Sequence, residues 1–249
     1  MKNRIRKILL RFPRLRNAIN TSILYIKYPY NIIRGVKIVI HYPIAKTLGI
    51  KFLAPNFIFM DKLDSKSTVV DVGCGFEADF SVAMINHYQL KAFGIDPTKK
   101  HQEKLRQIEE QHKGHFTHLR YAISQVEGKI TFRESAEHES GSMLTDHVNV
   151  LNDTIIEYEV DSITLNQIPL KAGVHPIDIL KLDIEGVEYE LFNHITTEDL
   201  AAFQQLFVEF HHRSIRRFSR KDTRRIVKKI QTLGFKAITL DGDNYLFYR

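Results

Sequence analysis

The sequence predicts an α/β fold, a mostly parallel sheet interleaved with helices and closed by an antiparallel hairpin. Three observations predict it. From residue 61 onward, short runs rich in β-branched and aromatic residues alternate with segments of helical apolar period, the pattern of strands joined by crossover helices. In the first such unit a glycine pair, Gly73 and Gly75, follows the strand-like Val69-Val70-Asp71-Val72. Near the other end, residues 236–240 and 245–248 are two strand-like runs separated by Asp241-Gly242-Asp243-Asn244, which reads as a hairpin.

The glycine turn organises the chain. A buried strand enters it, and a helix over residues 80–88 leaves it. Glycine lets main-chain N–H groups approach a ligand that a Cβ would hold off. A second strand, residues 91–96, ends on Asp96. Strand, glycine turn, helix, strand, acid is the front half of a nucleotide site. Gly73-Cys74-Gly75-Phe76-Glu77-Ala78 also fits G-x-G-x-x-A, so an NAD(P)-dependent oxidoreductase is allowed by the spacing.

Length and composition bound the rest. A chain of 249 residues can bury one substantial core. A single cysteine, Cys74, excludes an intramolecular disulfide framework and a cysteine-rich zinc site. The net charge of +7 is unevenly spread: residues 1–60 hold twelve Lys or Arg and no Asp or Glu, so the remainder is net acidic. This gives a division into a basic, helical N-terminal extension (1–60) and a main domain (61–249). Residues 1–12 place Ile5, Leu9 and Phe12 on one helical face among arginines. Arg11 interrupts the apolar run too early for a signal peptide, and no window has the ~18–20 apolar residues of a spanning helix. The extension is read in three ways: a cover over the substrate entrance, an interfacial element on anionic lipid, or a solvated basic arm. A non-catalytic adaptor binding membrane or nucleic acid through it is the rival to an enzyme. Nucleic acid is disfavoured because no recognition motif accompanies the charge.

Further along, residues 98–112 read as a polar helix, 116–124 as a third strand, and 129–133 as its hairpin partner. Residues 134–152 read as a loop around Ser140-Gly141-Ser142-Met143, and 157–163 as a strand. Residues 176–183 form the clearest later strand, followed by a helix over 189–194 and a strand over 205–212. The basic stretch 213–229 ends in a helix whose inward stripe is Ile226, Val227, Ile230 and Leu233.

Ligands of such sheets bind at the carboxyl ends of the strands. There the reading places residues 71–75, Asp96, Ile123 with Ser124, residues 183–186 and residues 209–212. Asp183 and Glu185 have two candidate jobs: orienting ligand and accepting a hydroxyl proton, or holding a divalent cation such as magnesium. Glu185 could equally cap the next helix. His211 and His212 are candidates for a general base or metal ligand, or for packed histidines.

Two motifs carry a family resemblance. Asp71-Val72-Gly73-Cys74-Gly75 resembles motif I of class I methyltransferases. Lys181-Leu182-Asp183-Ile184-Glu185-Gly186-Val187-Glu188, a K-x-D-x-E-G-x-x block, together with the strand-turn of 69–81, the Ser-Gly-Ser-Met loop, Val208-Glu209-Phe210 and Gly234-Phe235, is similar to the FkbM-type methyltransferase family over residues 65–248. The resemblance implies a Rossmann-like three-layer sandwich with a seven-stranded sheet, and S-adenosylmethionine-dependent O-methylation of a sugar, glycan or lipid-linked saccharide. It implies that Asp71, Gly73 and Gly75 line the methionine end of the cofactor and that Asp96 takes the ribose. Ile123, Ser124 and Asp183 complete the cofactor set. From their strand-end positions, Asp183, Glu185 and His211 are the candidate catalytic set, and Asp183 with Glu185 the candidate cation ligands. The terminal hairpin and the lack of a separate substrate domain weigh against the oxidoreductase. The absence of an Asn/Asp-Pro-Pro-aromatic segment favours oxygen as acceptor. A cytoplasmic location, peripheral at a membrane surface, is the expectation that follows.

Overall fold

The computed structural model describes residues 29–53, 56–136, 141–145 and 154–249. The helix expected over residues 1–12 lies outside them. Helix α1 (Pro29–Thr47) leads into a small antiparallel hairpin of β1 (Ile50–Leu53) and β2 (Phe57–Met60). The glycine-turn unit follows as β3 (Thr68–Val72), α2 (Asp79–Tyr88) and β4 (Lys91–Ile95). A short 3-10 turn over Lys99–His101 then opens α3 (Gln102–Gln111), which leads to β5 (Phe116–Leu119).

After a four-stranded insertion, described below, come α4 (Ile168–Ala172), β10 (Ile177–Leu182), α5 (Glu188–Asn193), β11 (Phe203–Glu209), α6 (Arg220–Thr232), β12 (Lys236–Thr239) and β13 (Asn244–Tyr248). The main sheet has seven strands in the order β12-β13-β11-β10-β3-β4-β5, and β13 alone runs antiparallel to its neighbours. The α/β class, the mostly parallel seven-stranded sheet and the closing hairpin are thus as the sequence implies. After β3 the chain winds outward through β4 and β5, then returns to build β10 on the other side. The order therefore reverses between β3 and β10, where such sheets bind ligands.

Both faces of the sheet are covered, so its central strands are mostly apolar, and the charges they do bury, Asp71 and Lys181, are paired. All five residues of β3 are buried. Val70 and Leu180 belong to one apolar cluster, with Phe192 of α5 and Ile226 of α6, while Val69 and Ile179 belong to the other, with Phe80 and Met84 of α2. That second cluster also takes in Ile58 and Phe59 of β2 and Ala45 of α1. Gln205 clamps the hairpin to β11, accepting from Met60 N at 2.7 Å and donating to Met60 O at 3.2 Å. The described part of the first sixty residues is therefore packed on the same core.

The insertion departs from the sequence reading. The single strand expected over 116–124 is broken at Arg120–Tyr121, where Tyr121 N donates back to Leu119 O at 3.1 Å. Its second half, β6 (Ala122–Ile123), leaves the main sheet and pairs parallel with β9 (Ile155–Ile163). The expected hairpin partner is longer, β7 (Gly128–Ser135), and pairs antiparallel with β9 rather than with β5. An eight-residue ladder satisfies more backbone groups than the four-residue β5 could offer. Within the expected loop 134–152, β8 (Gly141–Ser142) adds to β7. Residues 137–140 and 146–153 lie outside the description.

Candidate active site

The glycine turn is stitched to both neighbouring strands. Gly73 N donates to Ile95 O at 2.8 Å, and Asp183 N donates to Val72 O at 3.0 Å. Gly73 has φ +70°, and a Cβ there would stand 1.7 Å from the Asp183 carbonyl oxygen. Only glycine fits, because the turn is pressed against the end of β10.

Beneath the turn lies a buried ion pair. Lys181 and Asp71 are register partners on adjacent strands, with Nζ 2.9 Å from Oδ1. Asp71 is fully buried and accepts from Ser81 Oγ at 3.0 Å. Burial works against the Lys181 ammonium, but Asp71 and Asp183 outweigh it and hold its pKa above the ordinary lysine value. Lys181 Nζ also donates to Gly73 O at 3.4 Å and lies 3.7 Å from Asp183 Oδ2. The pair thus ties the turn to the β10 end.

A cavity of about 300 Å³ opens at the carboxyl edge above this frame. Of the residues singled out in the sequence, Gly73, Gly75, Asp96, Ile123, Asp183 and Glu185 line it. Asp71, Ser124 and His211 do not. Asp71 sits below the turn, and Ser124 turns its hydroxyl to Val126 O at 2.6 Å. His211 stands behind the two carboxylates of residues 183 and 185.

Asp96 is no free carboxylate. Its Oδ2 accepts from Gly75 N at 2.9 Å and lies 3.2 Å from His101 Nδ1, while Oδ1 accepts from Thr98 N at 2.8 Å. Burial raises its pKa, but the bonds from His101 and Thr98 outweigh that and hold it below the usual carboxylate value. Asp96 therefore braces the turn as well as facing the cavity. His101, also in the cavity wall, keeps Nε2 buried without a partner among the described residues. A buried nitrogen left without a partner costs roughly 1–3 kcal/mol, and a ligand hydroxyl or amine would relieve it. Together with the glycine cradle, this orphaned atom fits a nucleoside-type cofactor. His101→Ala is expected to weaken S-adenosylhomocysteine binding about tenfold, roughly 1.4 kcal/mol, by calorimetry. Unchanged affinity would remove His101 from the site.

The other wall is built by the turn after β10. Glu185 adopts φ +52° and Gly186 φ +100°, a left-handed corner that a glutamate occupies at a cost of about 1 kcal/mol. Glu188, fully buried, holds this corner in place. Its Oε2 accepts from Gly186 N at 2.9 Å, and its Oε1 accepts from His211 N at 2.8 Å and His211 Nδ1 at 2.9 Å. With Nδ1 so engaged, His211 turns Nε2 toward Asp183 Oδ1 at 3.4 Å and Glu185 Oε2 at 3.6 Å. Asp183, Glu185 and His211 each offer an atom within 4.8 Å of the others. Two carboxylate oxygens and an imidazole nitrogen suit a divalent cation such as magnesium or manganese.

Electrostatics at this wall run against the ordinary values. Burial pushes the Asp183 carboxyl up to about 7, with Lys181 and His211 opposing and Glu209 and Glu185 adding to the rise. Burial disfavours the His211 imidazolium, but Glu188, Glu185 and Asp183 outweigh it and raise its pKa well above the usual histidine value. His212 faces elsewhere, with Nδ1 3.0 Å from Thr223 Oγ1 and Nε2 3.2 Å from Asp243 Oδ1. The structure thus brings Asp183, Glu185 and His211 together and leaves His212 out.

Sequence reasoning missed His101 and the positioning role of Glu188. Glu188 was inside the K-x-D-x-E-G-x-x block, and an acid two residues past a glycine corner is a signal worth testing. His101 lies in a mostly polar helical segment, and the one signal was its spacing, on the same helical face as the buried Leu105 and Ile108.

A reversing parallel sheet with a glycine cradle and a terminal acid defines a nucleotide-type cofactor fold of the Rossmann-like class. The family model described as Methyltransferase FkbM domain matches residues 58–237. The chain belongs to that family and is an S-adenosylmethionine-dependent methyltransferase. No curated protein matches it. Among solved structures it is similar to the fibrillarin/Nop5p complex, at 13 % identity and a TM-score of 0.45, covering 75 % of this chain and 74 % of that one. It is similar to the Methanococcus jannaschii fibrillarin pre-rRNA processing protein, at 12 % identity and TM-score 0.45, over 80 % and 69 % of the two chains. A third is M. capricolum TrmK with S-adenosylhomocysteine, at 10 % identity and TM-score 0.38, over 75 % and 62 %. The family assignment rests on the match over residues 58–237.

Proposed function

We propose that this methyltransferase methylates a hydroxyl oxygen, carried by a sugar, a glycan or a lipid-linked saccharide. The observation that supports the reading is the convergence of Asp183, Glu185 and His211 at the wall of the cofactor cavity. A hydroxyl must lose its proton as it is methylated, and a carboxylate held at the point of attack can take it. Lys181 behind Asp183 and His211 beside it fix the orientation of that carboxylate. Glu188 in turn fixes His211 and so serves as a positioning residue.

When bound, S-adenosylmethionine supplies a sulfonium methyl that is transferred by in-line displacement, leaving S-adenosylhomocysteine. In this reading Gly73 and Gly75 give the methionine end its close approach. Asp96 and His101 would hold the ribose, and Ile123 would offer an apolar wall to the rest of the cofactor. Asp183 would take the proton that the acceptor hydroxyl loses as it is methylated. The same triad could instead hold a divalent cation that acidifies the acceptor hydroxyl; its 4.8 Å spread supports this second reading.

The test begins with calorimetric titration of the purified protein with S-adenosylhomocysteine, with NAD(H) as control. Transfer of labelled methyl to saccharide acceptors, with magnesium and with a chelator, then follows. S-adenosylhomocysteine binding and a base-stable methyl ether are expected. A methylated nitrogen or carbon would overturn oxygen as the acceptor, and activity that survives the chelator would remove the cation.

A further inference from the structure

Helix α1 is apolar on two opposite faces, and among the described residues only one of them is packed. Ala45, Ile38 and Tyr42 turn inward to the cluster under the sheet. Val36, Val39, Ile40 and Ile44 turn outward at helical spacing, with Leu48 just beyond the helix end, and are 50–73 % exposed. Most large exposed hydrophobic side chains among the described residues lie in this one stretch. Lys37 and Lys46 flank the outer face on either side.

The helix is firmly seated. Lys37 Nζ donates to Asp241 O at 3.3 Å, and His41 Nδ1 donates to Leu240 O at 3.1 Å. Those carbonyls belong to the turn between β12 and β13. That turn lies at the carboxyl edge of the sheet, because β12 runs parallel to β11 through their shared antiparallel neighbour. The middle of α1 is thus anchored at the same sheet edge that carries the cavity.

We infer that the outer face of α1 rests on an anionic lipid bilayer. A covering partner must accept aliphatic side chains and also meet cations, since residues 1–60 hold twelve Lys or Arg and no acid. The interfacial zone of a bilayer with anionic headgroups does both: acyl chains receive the stripe, and headgroups attract the flanking charge. A second copy of this face would set like charges against each other. No described helix is long and apolar enough to cross a membrane, so the contact is a surface one. It would hold the cavity edge close to headgroup-borne hydroxyls. Only that last consequence rests on the methylation reading above.

The test is flotation of the full chain with pure phosphatidylcholine vesicles and with vesicles rich in phosphatidylglycerol. Calorimetry with S-adenosylhomocysteine on the same preparations reports whether the fold and cofactor site are intact. Binding to the phosphatidylglycerol vesicles is expected, with a loss of at least about tenfold in the Ile40→Glu/Ile44→Glu double variant and unchanged S-adenosylhomocysteine affinity. Absence of vesicle binding would overturn the inference, as would equal binding by the double variant. So would a concentration-dependent dimer that the variant breaks, or tighter retention by RNA than by vesicles. Lipid binding can fail while S-adenosylhomocysteine still binds, which would leave methyl transfer standing.

Discussion

Asp183→Asn is expected to lower kcat by on the order of 100- to 10,000-fold, the usual contribution of a positioned proton acceptor. The substitution keeps the size of the side chain and an oxygen for the His211 Nε2 contact, now 3.4 Å long. Affinity for S-adenosylhomocysteine should therefore stay within a few fold. Single-turnover kinetics with saturating cofactor separates the chemical step from binding. If Asp183 instead serves as a cation ligand, added magnesium should restore part of the lost rate in the variant, whereas a missing base is not restored by metal. A kcat within threefold of the parent, with or without metal, would remove Asp183 from the chemistry.

Lys181→Met is expected to produce the largest loss of stability among single substitutions at this site. It leaves the fully buried Asp71 carboxylate facing an apolar side chain in place of an ammonium 2.9 Å away. Breaking a buried pair from one side costs about 3–5 kcal/mol, because the remaining charge is uncompensated. For a chain of this size that corresponds to a fall in Tm of roughly 6–20 °C. The Lys181→Met/Asp71→Asn double variant should recover much of the loss, since the stranded charge is gone. A Tm within about 2 °C of the parent for Lys181→Met would mean that water or a local shift already neutralises Asp71. The pair also ties the glycine turn to β10, so cofactor affinity should fall along with stability.

The central part of the fold was legible because buried parallel strands write themselves as continuous apolar runs. The stretch Val69-Val70-Asp71-Val72 and the later Ile177-Asp178-Ile179-Leu180-Lys181-Leu182 come close to such runs, interrupted only by Asp71, Asp178 and Lys181, and both are central strands. The glycine turn was legible because its left-handed backbone and close approach to β10 tolerate no side chain. The insertion was not. Alternation identifies a strand and its two faces but carries no information about its partner. Residues 116–124 therefore read as one strand, and their pairing with 129–133 was inferred from proximity in sequence. The actual partner of β7 is β9, beyond the span 136–154.

The candidate site divides along the same line. Asp96 and Asp183 were found because each ends a strand at the carboxyl edge, a position that periodicity and order alone supply. Choosing between His211 and His212 lay beyond periodicity, since adjacent residues past a strand end point in different directions and both look equally polar. The buried Glu188 decides it by accepting from the main-chain N and the ring Nδ1 of His211, which leaves Nε2 facing Asp183 and Glu185. Asp71 shows the converse. Its motif position suggested contact with ligand, whereas its register partner Lys181 draws it beneath the turn.

By itself, then, the sequence determined the order of elements, the glycine cradle, the acids at the strand ends and the family, because these follow from local backbone demands and burial period. Tertiary structure alone decided which carboxylates are braces and which face the cavity, how His211 is held beside them, and which apolar face of α1 is exposed. Those outcomes depend on contacts between residues far apart in the chain, where a charge or an apolar stripe takes its role from what is packed against it.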